Sequence, residues 1–99
     1  MAEIMQLADH PNVGVCWNSN RQDLQGNGLE HNFILIAKRL GATLHAHDLE
    51  KDKYPYADLF RLLKEDKYNG WVLIEASDKP ADRVQALAEQ RKAFEKLCA

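Results

Sequence analysis

The chain is 99 residues long, 45% hydrophobic and 28% charged, with a formal net charge of −2; that is the make-up of one folded unit, not of a disordered or fibrous chain. Its 13 Lys and Arg are offset by 15 Asp and Glu, and no basic cluster supplies the positive field that attracts phosphate backbones or anionic lipids. No apolar run approaches the roughly 20 residues that span a bilayer, so neither nucleic acid nor membrane is an expected partner, and the expected location is cytoplasmic.

Taken in order, Met1 to Leu7 reads as the tail of a helix whose beginning is missing. The run Val13 to Trp17 follows the turn signal His10-Pro11-Asn12 and reads as a strand. Leu29, Phe33, Ile36 and Leu40 recur at helical spacing. Gly41 then introduces a second strand, Thr43 to His47. Leu59, Leu62 and Leu63 mark a further helix, and Asn69-Gly70 opens a third strand, Trp71 to Glu75. The last helix is expected from about Pro80, with Val84, Leu87, Ala88, Phe94 and Leu97 on one stripe. Alternating helices and strands imply parallel strands joined by right-handed crossovers. The period agrees: 27 residues separate Asn18 from His45 and 30 separate His45 from Glu75. Cys16 and Cys98 show neither a disulfide framework nor metal-ligand spacing, and are expected as reduced thiols, Cys16 being structural.

Side chains alternate across a strand. Val13, Val15 and Trp17 therefore oppose Gly14, Cys16 and Asn18. Leu44 and Ala46 oppose Thr43, His45 and His47, and Val72 and Ile74 oppose Trp71, Leu73 and Glu75. If the apolar sets pack on helices, Asn18, His45 and Glu75 share one face at or near the carboxyl ends of adjacent strands, where parallel α/β structures gather ligands. Parity leaves two readings: a ligand site, or polar residues that close a strand. An inward carboxylate facing an inward histidine is costly unless paired or coordinated.

The segment His45-Ala46-His47-Asp48 resembles the strand-end HxxD pattern of the xylose-isomerase-like TIM barrels. Tyr68-Asn69-Gly70-Trp71-Val72-Leu73-Ile74-Glu75 resembles their Y-x-G-W-x-x-I-E ending. Lys53 to Lys64 looks like their helix before the last strand, and His10 to Trp17 like their sixth strand. The resemblance implies a partial (β/α)8 barrel, 1–99 being a single C-terminal domain of its last three βα units. It implies sugar or sugar-phosphate isomerase/epimerase chemistry, with proton transfer next to a carbonyl. A divalent cation (Mn, Mg, Co or Zn) would sit on His45, Glu75 and Asn18, with Glu75 also the catalytic acid/base.

The family's D-x-x-H on the sixth strand falls here on Asn18-Ser19-Asn20-Arg21. Asn18 offers only a neutral carbonyl oxygen and Arg21 cannot ligate a metal, so cation affinity is expected to be weak. Arg21 is either an exposed loop residue or a fork-shaped anion clamp. With His47 and Trp17 it completes the expected substrate contacts; for Trp17 and Trp71, the alternative to stacking on a sugar ring is filling core. The opposing base lies in strands with no counterpart here, so the isolated chain is expected to be inactive, and one uncovered sheet face implies a homo-oligomer or a partner supplying the missing half-barrel. The competing class is a non-catalytic binding or self-association module on the same framework. A repair nuclease is disfavoured by the acidic balance.

Overall fold

The structure is a computed structural model and describes residues 1–76 and 78–99. Helix α1 covers Ala2–Ala8, strand β1 Val15–Trp17, helix α2 Leu29–Ile36, strand β2 Leu40–Ala46, helix α3 Tyr56–Glu65, strand β3 Trp71–Ile74 and helix α4 Arg83–Cys98. Short 3-10 turns occupy Arg21–Leu24 and Ala37–Arg39. The strands form one three-stranded sheet in the order β1-β2-β3, with both pairings parallel. The protein is thus an α/β fold of parallel strands alternating with helices, as the alternating pattern predicts. Among the described residues no helix is long and apolar enough to cross a membrane.

The core forms on the face that parity assigned to it. Leu44, Ala46 and Leu59 are fully buried, and Val15, Trp17, Phe33, Ile36 and Leu62 are nearly so. Helix α3 contributes most because Tyr56, Leu59, Phe60 and Leu63 recur at three- and four-residue spacing and line one side of it. Burying a leucine contributes about 1.5–3 kcal/mol over leaving it in water. The other sheet face is uncovered: Trp71 is 72% exposed and Leu73 42%. Parallel sheets are normally buried on both faces.

Several boundaries differ from the sequence expectation. Strand β1 begins at Val15, not Val13, which is exposed. Leu40, predicted on the stripe of α2, opens β2 instead, because Ala37–Arg39 tightens into a 3-10 turn and Leu40 pairs with Val15. Glycines permit that approach: a Cβ on Gly14 would meet the Cα of Gly41 at 3.1 Å and the carbonyl oxygen of Arg39 at 3.3 Å. Helix α4 starts at Arg83 because the Asp82 carboxylate accepts the Gln85 N–H at 2.9 Å, an N-cap that Pro80 cannot provide. Its inward line is also different. Ala93 is buried and Ala86, Gln90 and Leu97 are partly buried, while Val84 and Leu87 are exposed.

Candidate functional site

Because β2 and β3 are parallel with His45 opposite Leu73 and Ala46 opposite Ile74, the next position, Glu75, falls beside the open-face residues of β2. Its backbone N–H continues the ladder, donating to the Ala46 carbonyl at 2.7 Å. The Nδ1 atom of His45 lies 3.2 Å from Glu75 Oε2, with the two side chains 32% and 64% exposed. His47 is held by the same residue through its main chain: its Nδ1 sits 2.9 Å from the Glu75 carbonyl oxygen. Glu75 thus contacts both imidazoles, His45 through its carboxylate and His47 through its carbonyl.

Asn18 is on the same face. Its Oδ1 lies 3.8 Å from Cys16 Sγ, which in turn lies 3.9 Å from the Thr43 hydroxyl. Ser19, in a left-handed conformation at φ 57°, turns the chain inward, and its buried hydroxyl donates to the His45 carbonyl at 2.7 Å. The backbone carrying His45 is thereby tied to the end of β1 as well as to β3.

Beyond Ser19 the 3-10 turn carrying Arg21 is fixed by a partly buried polar chain. The Asn20 N–H donates to Asp23 Oδ2 at 2.8 Å, the Tyr54 hydroxyl donates to the same oxygen at 2.8 Å, and the Trp17 indole N–H donates to the Tyr54 oxygen at 3.1 Å. Desolvation raises the Asp23 pKa above 3.8, against the two hydrogen bonds that lower it. Burial likewise pushes the Tyr54 phenol far up. Trp17, expected among the substrate contacts, belongs to this chain instead: it is 6% exposed and meets Phe33 edge-on, with ring centroids 5.6 Å apart. Its ring is core.

An open groove of about 800 Å³ runs along the carboxyl ends of β1 and β2, lined by Ser19, Arg21, His47, Lys51, Lys53 and Asp78 among others. Arg21 and His47, paired by the sequence reading as substrate contacts, do share this groove. Asp48 stands in it as an anchor: its Oδ1 accepts the N–H groups of Glu50 at 2.9 Å and Lys51 at 2.8 Å. Partial burial would raise its pKa, but those bonds, Gln90 and the Lys51 charge outweigh burial and hold it below 3.8.

The cation expected on His45, Glu75 and Asn18 meets a donor set that does not fit it. Glu75 Oε2 is directed at the imidazole and Asn18 supplies only an amide, leaving too few anionic oxygens for a hard divalent ion. Among the described residues no three His, Cys, Asp or Glu side chains gather to hold a metal.

The chain matches no protein-family model, no curated protein and no solved structure. Three residues that hold the site together, Ser19, Asp23 and Tyr54, carry no recognisable motif in the sequence. The nearest signal was the repeat Tyr54-Pro55-Tyr56, two phenols bracketing a proline at the start of an apolar helix.

Proposed function

We propose that the chain supplies three βα units of a (β/α)8 barrel of the sugar and sugar-phosphate isomerase/epimerase type, and that Glu75 is its acid/base. One observation carries the reading: a half-exposed carboxylate and an imidazole from the ends of adjacent parallel strands meet at 3.2 Å on the uncovered sheet face. In this arrangement His45 Nδ1 flanks one carboxylate oxygen, and the other is free to remove a proton from a carbon next to a carbonyl. Trp71, on the same face and 72% exposed, offers a ring for the C–H side of a sugar. Epimerisation needs a second group on the opposite side of that carbon. The three strands carry only one such carboxylate, so the chain by itself binds and does not turn over.

Nuclear magnetic resonance in deuterium oxide tests both halves of this statement. Adding a ketose is expected to shift the signals of His45, Leu73 and Glu75 without exchange of its carbon-bound protons. Unmoved strand-end signals at saturating ketose would refute the sugar site. Exchange by the isolated chain, lost in Glu75→Gln, would refute the requirement for a second base.

A second reading draws on the exposure of Trp71 and Leu73 on a parallel sheet. A second copy of this chain laid on that face would bury them, making the protein a self-association module. Light scattering is expected to show a dimer or larger species that Trp71→Lys converts to monomer. A monomeric parent chain would exclude this reading.

A further inference from the structure

We propose that the groove at the carboxyl ends of β1 and β2 is a phosphomonoester site with Arg21 as its anchor. Arg21 makes no ion pair among the described residues, and neither do Lys51 and Lys53 beside it. Its backbone is nevertheless held from both sides. Ser19 locks the preceding residue pair to the His45 carbonyl, and the Asn20, Asp23, Tyr54 and Trp17 chain ties the turn into the core. A guanidinium on a fixed turn, with its own donors unspent, is suited to a planar two-point grip on an oxyanion. His47 lines the same groove from β2, its Nδ1–H donating to the Glu75 carbonyl at 2.9 Å.

The formal charges of Arg21, Lys51 and Lys53 balance those of Asp48, Asp52 and Asp78 in the same groove. Two of those carboxylates are engaged: Asp48 by the Glu50 and Lys51 N–H groups, and Asp52 by the Tyr56 hydroxyl at 3.1 Å. Such a groove exerts little long-range pull on a polyanion. It selects a single phosphate by directed donors at close range. The inference deepens the sugar reading by naming a phosphorylated ligand, and depends on that reading only for the sugar.

The test is an NMR titration of the 99-residue chain with inorganic phosphate, fructose 6-phosphate and fructose, repeated on Arg21→Ala, Arg21→Lys and, as a remote control, Lys38→Ala. Phosphate and fructose 6-phosphate are expected to shift Arg21, Asn20 and His47 signals. Arg21→Ala should weaken both by about tenfold or more, as loss of a charge-assisted bond implies, with Arg21→Lys intermediate and Lys38→Ala unchanged. Phosphate binding indifferent to Arg21→Ala, fructose binding as tightly as its phosphate, or no phosphate binding at all would each overturn the site. Ketose shifts at Glu75 with no phosphate response would sink this proposal alone. Phosphate binding with no ketose response would sink the sugar reading alone.

Discussion

Replacing Tyr54 by Phe removes one oxygen atom from the partly buried polar chain and leaves the ring in place. That oxygen accepts the Trp17 indole N–H at 3.1 Å and donates to Asp23 Oδ2 at 2.8 Å. Trp17 and Tyr54 are 6% and 8% exposed, so water does not readily replace the lost partner. An indole N–H left unsatisfied in the interior costs about 1–3 kcal/mol, and the bond to the carboxylate is worth about 1.5–3 kcal/mol. Asp23 keeps its bond from the Asn20 N–H, which offsets part of the second figure, so the expected loss is about 2–4 kcal/mol. In a domain of this size that lowers the melting temperature by about 10–25 °C. Urea denaturation followed by tryptophan fluorescence gives the free energy, and Asp23→Asn with the double variant gives the coupling. A loss under about 1 kcal/mol, or strict additivity with Asp23→Asn, would show that the three side chains do not act as one unit.

Asp23 also sets a pH dependence. Its folded pKa is raised above 3.8 chiefly by desolvation, so between 3.8 and that raised value the native state binds more protons than the unfolded chain, and this group's contribution to stability falls as pH rises. Asp48, held below 3.8, acts oppositely, and its contribution is lost as pH falls from 3.8 toward its folded value. Denaturation midpoints measured across about pH 3–7 should lose the Asp23 component in Asp23→Asn; an unchanged slope would contradict it. Gly70→Ala should destabilise by about 1–3 kcal/mol, because the new Cβ collides with the Tyr68 ring and with the Ala42 carbonyl oxygen; calorimetry showing wild-type stability would mean that strand β3 shifts freely. Leu59→Ala, at a fully buried position, should remove about 2–5 kcal/mol, checked by the same urea titration. A smaller loss would indicate that α3 settles into the space.

Periodicity carried most of what was legible. A two-residue repeat is stiff, so parity alone assigned Leu44 and Ala46 to the core and placed His45 beside Glu75, and parallel pairing followed from the alternation of elements. Helical stripes were less secure. Leu40 continues the spacing of Leu29, Phe33 and Ile36 and yet opens a strand, because backbone pairing with Val15 outweighs side-chain period there. In α4 the apolar residues Val84 and Leu87 face outward while Ala93 is buried. The chain from Trp17 through Tyr54 to Asp23 was invisible for a different reason. Its members are 31 and 37 positions apart in sequence, and no local pattern records such a meeting. Parity sets Trp17 on the face of Val15, and it is buried there.

Position 75 combines two attachments of different kinds. The carbonyl that holds His47 and the N–H that reaches Ala46 belong to the main chain, which every amino acid except proline reproduces. Only the contact with His45 depends on what the side chain is. Swapping that side chain therefore changes the charge and polarity of the strand end while its scaffolding stays put, and a library of variants at this one codon can vary both against an unchanged frame.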